Sequence, residues 1–416
     1  MLTEPGHATP LGPTVVHITG GKVAGLEPIA AEQLTDRERG SLLMPAPANA
    51  HDHGRGLKAE AVSRAARDTG VQVAFALPFA DRNPYVYGDL GELIERLPPE
   101  DRPAVAATRQ RPLAVNLALF ERMAAFEHDC FTLQYGPVAP QWARDETLEH
   151  IARASAENGR RVHMHLFETR RQREWADAAY PDGLLRHLDA MGLLSPRLTL
   201  AHAVWLRPDE CELLAERGVT VSINVSSNLR LRSGLPALET MRRAGLRFGV
   251  GLDGMSLDDD EDILREIRLL RLLHDVDGDL PPFTPAELFD AACVDGRRTI
   301  MGDDSGGRVL PGAPADLLVL DFREMSRDFV RSDIDIPAVL LARATRCHVK
   351  QLFVGGREIV RDGRCVTVDL PGLEAALHEA ASAALMKADP DPDQISRIQH
   401  GVADFFACGC HVPLAR

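Results

Sequence analysis

Along the middle of the chain, short apolar runs alternate with amphipathic stretches. The runs SLLMPAPANAH, VQVAFALPF, FTLQYGP, RVHMHLF, LTLAHAVWL, VTVSINV and RFGVGLD have the length and texture of strands. Between most of them lie segments such as ARDETLEHIARASAENG and RPDECELLAERG, whose apolar residues recur at helical spacing. Alternating βα units build a parallel sheet, so the expected class is α/β. Run after run ends in a polar, chemically capable residue, the place where a (β/α)8-type TIM barrel keeps its active groups.

The two ends of the chain have another texture. PTVVHITGGKVAGLEP alternates apolar residues around a Gly-Gly turn, which predicts a hairpin, and GRVLPGAPADLLVLDF and VKQLFVGGREIVRDGRCVTVD repeat short strands with glycine turns. Isolated hairpins are marginally stable, so the ends are expected to pair into one small β-sandwich domain, residues 1–43 with 306–370. The barrel then occupies 44–305, and 371–416 form a helical extension and tail. Seven central strands are visible where a closed barrel wants eight. After HDHGRGLK the chain passes straight into the helix-like AEAVSRAARDTG and the strand VQVAFALPF, so the second βα unit is the one missing.

Composition narrows the field without changing this picture. With 416 residues, 45% of them hydrophobic, there is material for a large domain and a companion. A formal charge of −14 argues against a nucleic-acid surface. No apolar run approaches the roughly 20 residues that cross a bilayer, and MLTEPGHATPLGP carries no secretory pattern, so a cytoplasmic location without membrane contact is expected. The seven cysteines show no paired CxxC spacing, which argues against a disulfide framework. Only CGCH, with Cys408, Cys410 and His411, clusters. A C-terminal turn with idle or buried thiols is expected there, since fewer than four metal ligands are in view.

The chemistry gathers at strand ends. In NAHDHGRGL, His51 and His53 are two apart, so on a strand both imidazoles face one side. His163 and His165 repeat that spacing, His202 ends the next run, and Asp253 closes FGVGLDG. Imidazoles with a carboxylate suit zinc or ferrous iron, with a position left for water. Gln134 and Gln141 lie around the fourth strand end, Arg55 follows the histidine pair, and Asn228 is placed in a loop after the seventh strand. These are the candidate substrate contacts, since amide side chains match the donor and acceptor edge of a heterocycle. The acidic run SLDDDED after Asp253 is expected to be a solvated helix start.

Together the stretches NAHDHGRGL, GPVAPQWARDETL, HMHLFET, LAHAVWL, NVSSNLRLRSGLP and GVGLDG resemble the amidohydrolase superfamily, in its branch of cytosine, guanine and adenosine-type deaminases and triazine hydrolases. The resemblance extends to the flanking ADLLVLD and VGGREIVRDG. It implies a single divalent metal held by His51, His53, His165 and Asp253, zinc ahead of iron. It also implies Glu168 as the acid of an HxxE motif, and His202 and Asp253 as further catalytic groups. Relatives with two metals bridge them through a residue on the fourth strand, and CFTLQYGP has no Lys, Asp or Glu for that role.

The activity implied is hydrolytic deamination of a purine, pyrimidine, pterin or triazine-type heterocycle by hydroxide formed on the metal. Asp253 takes the water proton, Glu168 protonates a ring nitrogen, and His202 orients the water or stabilises the tetrahedral oxygen. Hydrolysis of another C–N bond is one alternative. A catalytically impaired, metal-binding remnant is the other, because relatives carry the missing segment as part of the pocket wall. A homo-oligomer is compatible with the resemblance.

Overall fold

The computed structural model describes residues 1–52, 58–108, 110–254, 257, 260–274, 280–328, 335–387 and 391–412. Six parallel strands form the central sheet: β4 (Val73–Phe79), β5 (Phe131–Pro137), β6 (Val162–Leu166), β7 (Leu198–His202), β8 (Thr220–Ile223) and β9 (Phe248–Val250), hydrogen-bonded in chain order. Strands β7, β8 and β9 are buried along their whole length, as parallel strands covered on both faces must be. In β6, Val162, Met164 and Leu166 are buried on one face while His163 and His165 share the other. Outer helices cover the sheet with Leu148, Ile151, Leu184, Leu188, Leu214, Met241, Ile267 and Leu270, all in one core with the strand residues. Each such side chain contributes roughly 1.5 to 3 kcal/mol on leaving water.

A seventh extended segment runs beside β9. The amide of Ala50 donates to Val250, and those of Leu252 and Asp253 donate to His51, at 2.8, 3.1 and 3.0 Å. The Asn49 side chain also accepts from the Leu252 amide at 3.0 Å. Among the described residues no strand separates this segment from β4; helix Ala59–Thr69 leads directly into it. The run SLLMPAPANAH is therefore not one strand, as its texture suggested. Its first half, β3 (Ser41–Pro45), pairs antiparallel with β10 (Leu317–Asp321) in a different sheet. The break falls at Pro45-Ala46-Pro47, where two of three residues lack the N–H that a ladder needs.

That second sheet has five strands in the order β13 (Arg364–Cys365), β12 (Arg357–Arg361), β11 (Val349–Val354), β10 and β3. The hairpin of β1 (Thr14–Thr19) and β2 (Lys22–Pro28) turns through Gly20 and Gly21 at φ 58° and 76°, a geometry that suits glycine. Val16, Val23 and Leu26 of the hairpin pack with Val309, Ala315, Leu317 and Phe353. The N-terminal hairpin thus meets residues 309–353 in one apolar cluster.

A separate core forms between residues 86–105 and helix Pro392–Ala407. Val86, Leu93, Leu97, Val105 and Phe405 are its buried members, and Arg397 grips the buried Asp101 with two hydrogen bonds of 2.7 and 3.0 Å. Beyond that helix Cys408 and Cys410 are joined in a disulfide, so they are not the idle thiols expected. Their helix end presents the two sulfurs two positions apart in a turn, close enough to join. No helix among the described residues is long and apolar enough to cross a membrane.

Gly251 shows how tightly the first segment, β8 and β9 are drawn together. A β-carbon there would meet Asn224 Oδ1 at 2.3 Å, Ser222 Oγ at 2.6 Å and the His51 amide nitrogen at 2.8 Å. Gly251→Ala is expected to lower stability by about 1 to 3 kcal/mol in denaturant unfolding. Gly25→Ala, where nothing lies within 4 Å of the added carbon, is the control and should change little.

Candidate metal centre

Three strands and the 48–52 segment deliver polar side chains to one buried spot. The ligating nitrogens of His51, His165 and His202 all lie within 4.8 Å of one another. Asp253 follows β9 and closes the group, with Oδ1 3.1 Å from His51 Nε2 and Oδ2 3.8 Å from His202 Nε2. Its Oδ2 also accepts the Ser227 hydroxyl at 2.5 Å.

The protons on the imidazoles are assigned by their outer partners. His165 Nδ1 is 2.7 Å from the Val138 carbonyl, which can only accept, so that nitrogen carries the proton and Nε2 keeps its lone pair. His202 Nδ1 lies 2.8 Å from Asn228 Oδ1 and 3.3 Å from Asn224 Nδ2; the shorter contact favours the proton on Nδ1, with Nε2 facing the site. His51 Nδ1 and His163 Nε2 are 2.8 Å apart with ring planes 12° apart, one donating to the other. Burial first, then the neighbouring His51 and His165, holds the His163 pKa well below the usual histidine range. His163 is thus a neutral partner of His51. Burial works against the Asp253 carboxylate, but the His51 hydrogen bond and charge, with His202 and Ser227, outweigh it and hold its pKa below the ordinary range.

Backbone strain concentrates at the same place. Phe167, His202, Ala203 and Asp253 have φ of 49°, 70°, 49° and 65°, the left-handed region that non-glycine residues avoid. Each costs on the order of 1 kcal/mol or more. Hydrogen bonds from Ala203 N to Leu166 O and from Trp205 N to Phe167 O hold the turns that aim these side chains inward.

Glu168 lies one turn beyond His165 at the head of helix Arg170–Ala179. Its amide donates to Gln172 Oε1 at 2.9 Å, Gln172 Nε2 donates to Gln141 Oε1 at 2.7 Å, and Ser233 Oγ approaches Glu168 Oε1 at 3.3 Å. The Tyr87 hydroxyl sits 3.4 Å from Thr169 Oγ1, and its pKa is raised by burial and secondarily by the charge of Glu168. Phe406, from the C-terminal helix, packs on Tyr87 with centroids 5.3 Å apart, and the Arg171 guanidinium lies 4.7 Å from the Phe406 ring. His411 Nε2 meets Glu174 Oε2 at 2.9 Å. The CGCH cluster thus anchors the helix that follows Glu168.

Of the residues expected at the site, His51, His165, His202 and Asp253 come together, while His53 and Arg55 lie outside the described residues. Gln134 does not join them. Its amide donates to the Ile300 carbonyl at 2.7 Å, at the level of Arg161 before the start of β6. Four residues of strand, about 13 Å, separate that level from His165. Gln141 is committed to Gln172. Asn228 is not in a loop but on helix Val225–Arg230, fully buried, with Nδ2 lacking a hydrogen-bond partner. Glu266, also fully buried, accepts the Ser226 amide at 2.8 Å and fixes that helix. Asp262 of the acidic run is buried, accepting from Leu264 and Arg346 amides at 3.1 and 2.8 Å; it caps a helix instead of meeting solvent. Gln172, Ser227 and Ser233 were not singled out from the sequence. Gln172 alone carried a signal, its i+4 spacing from Glu168.

The donor set of three imidazoles and a carboxylate, with two lone pairs aimed by outer partners, fits a divalent ion of the zinc type. The chain belongs to the amidohydrolase family, whose model matches residues 45–359. It is 31% identical over 260 residues to a 5'-deoxyadenosine deaminase of Methanothermobacter thermautotrophicus, covering 62% of this chain and 59% of that protein. It is 28% identical over 243 residues to a 5-methylthioadenosine/S-adenosylhomocysteine deaminase of Bacillus cytotoxicus, covering 58% and 55%. The chain spans somewhat over half the length of the curated relatives it matches. Among solved structures, an adenosine deaminase from Xanthomonas campestris with bound zinc superposes with a TM-score of 0.72 at 19% identity, covering 91% of this chain and 95% of that one. An atrazine chlorohydrolase from Arthrobacter aurescens complexed with zinc gives 0.69 at 20%, covering 88% and 94%. At those identities the likeness speaks for the fold.

Zinc added to metal-free protein is expected to raise the thermal midpoint, by about 2.7 kcal/mol of stabilisation at a hundredfold excess over Kd. His165→Ala should abolish the shift and Gln134→Ala should keep it. A shift that survives His165→Ala would place the ion elsewhere.

Proposed function

We propose that the chain is a metal-dependent aminohydrolase that releases ammonia from an amino-substituted nitrogen heterocycle, with 6-aminopurines first among the candidates. The observation that carries this is the meeting of His51, His165, His202 and Asp253 at one buried rim with Glu168 at the head of the adjoining helix. The names of the matched relatives, adenine nucleoside deaminases, favour the purine class. The framework we infer is a (β/α)8-type barrel without its second βα unit, beside a small β-sandwich.

His51, His165 and Asp253, with His53, would hold one ion, zinc ahead of iron. When bound, the ion supplies Lewis acidity that makes water a nucleophile at neutral pH. His202, with Nδ1 turned to Asn228, faces the site through Nε2 and orients the attacking water or stabilises the tetrahedral oxygen. Asp253 takes the proton from the water as its oxygen bonds to the amine-bearing carbon. Glu168 protonates the adjacent ring nitrogen, the proton from Asp253 leaves with the departing ammonia as the C–N bond breaks, and the remaining hydroxyl proton returns to Glu168 as the ring carbonyl forms. Gln141 acts through Gln172 to hold the backbone at Glu168. The unpartnered Asn228 Nδ2 is a donor for an acceptor entering the site. Arg55 is a further candidate contact.

A metal-binding remnant without turnover is the second reading, favoured by the segment missing after His53. Hydrolysis of a different C–N bond is the near variant of the first. Ammonia release from a panel of adenine nucleosides, guanine, cytosine, pterin and aminotriazines separates them. Glu168→Gln is expected to keep the metal and lose roughly 10²- to 10⁴-fold in turnover. Ring opening without ammonia assigns the C–N variant, and a metal-loaded chain inert on the whole panel assigns the remnant.

A further inference from the structure

Helix Leu370–Lys387 stands apart from every core of the protein. All of residues 370–386 are exposed, although Leu, Ala and Met dominate the helix. Leu373, Leu377 and Leu385 are 56%, 69% and 75% exposed. An isolated helix of this length is marginal in water, and most helical stability in proteins comes from packing an apolar face. Both flanks are tied down, by strand β13 before it and by the docked helix Pro392–Ala407 after it.

The exposed face has a register. Leu370, Leu373, Leu377, Ala380 and Ala384 follow one another at spacings of three and four, the a and d positions of a heptad seam. The seam is bulky in its first half and thin in its second. Two copies in antiparallel array set Leu373 opposite Ala384 and Leu377 opposite Ala380, so each of these inner layers joins one large and one small side chain. The flanking positions set Glu374 beside Ala381 and Ala376 beside Ala383, with no like charges facing. A parallel pair would put Leu on Leu at one end and Ala on Ala at the other, splaying the helices. The surface is therefore complementary to itself under a two-fold axis, the property an isologous interface requires. A contact face about 27 Å long on each helix gives an interface on the order of 1,000 Å² in total, the lower limit for specific association.

We propose that helix Leu370–Lys387 is a homodimerisation element, whose occupant is the same helix of a second copy in antiparallel register. Sedimentation of the full chain is expected to give twice the 45.5 kDa of one protomer. Leu377→Glu should give a monomer with an unchanged circular-dichroism spectrum and thermal midpoint measured at low concentration. Leu373→Cys combined with Ala384→Cys should form intermolecular disulfides between those two positions under mild oxidation, located by peptide mapping. The proposal is overturned by a monomeric wild-type chain at about 100 μM, whether or not it sediments with lipid vesicles instead. It is equally overturned by a dimer that survives Leu377→Glu, or by cross-links that join 373 to 373.

Discussion

A buried imidazole has one proton and one lone pair, and a group outside the ring decides which nitrogen carries which. This constraint organises the rim of the parallel sheet. The Val138 carbonyl and the Asn228 amide oxygen accept hydrogen bonds from Nδ1 of His165 and His202, so that both rings turn Nε2 toward the site. His163, kept neutral by burial, takes or gives the one proton it shares with His51. Asp253 supplies the negative charge that this collection of nitrogens needs, and the Ser227 hydroxyl fixes its second oxygen. Left-handed turns at Phe167, His202, Ala203 and Asp253 are retained because surrounding hydrogen bonds over-determine them.

Much of this was legible in the sequence, for identifiable reasons. Period-two alternation put His163 and His165 on one face of β6, and the polar endings of successive runs marked one edge of the sheet. His51 and Asp253 are separated by most of the domain in sequence. Their meeting follows from β9 pairing with the 48–52 segment, which a parallel order of strands implies. What could not be read was the depth and commitment of each polar side chain. Gln134 has the chemistry of a substrate contact, but it sits at the wrong end of its strand, where Ile300 takes its proton. Asn228 lies beneath His202 because 225–230 coil into a helix that strand texture alone did not reveal. The boundary after β3 was missed because residues 41–51 read as one apolar run, although Pro45 and Pro47 already forbade continuous pairing.

The helix that begins after Glu168 is held from several sides. Thr169 caps it, Gln172 returns to the Glu168 amide, and Phe406 and His411 reach it from the far end of the chain. Those contacts depend on Phe405 and Arg397 docking the C-terminal helix against residues 86–105. In the proposed reaction the Glu168 carboxylate benefits from such support, since misplacement by about 1 Å can cost 10²-fold in rate. The last residues of the described chain are thereby part of the apparatus around the head of that helix, which their distance in sequence conceals.

Strand β4 ends the six-stranded sheet, and its residues suit that place. Among the described residues it has one hydrogen-bonded neighbour, β5, and its first four residues are half-buried where β7, β8 and β9 are fully buried. An inner strand stripped of a neighbour would strand its N–H and C=O groups, at roughly 1 to 3 kcal/mol for each one buried and unsatisfied. Partial exposure lets water satisfy them. Pro78, exposed within β4, has no N–H to offer and is a residue that sheets confine to edges and bulges. Helix Ala59–Thr69 meets the same strand, with the Ser63 hydroxyl bonded to the Phe126 carbonyl at 2.8 Å. A sequence that places a proline and half-exposed positions on this strand has the composition of an edge. Strand β4 thus carries residues suited to the edge of the sheet, where its one described neighbour places it.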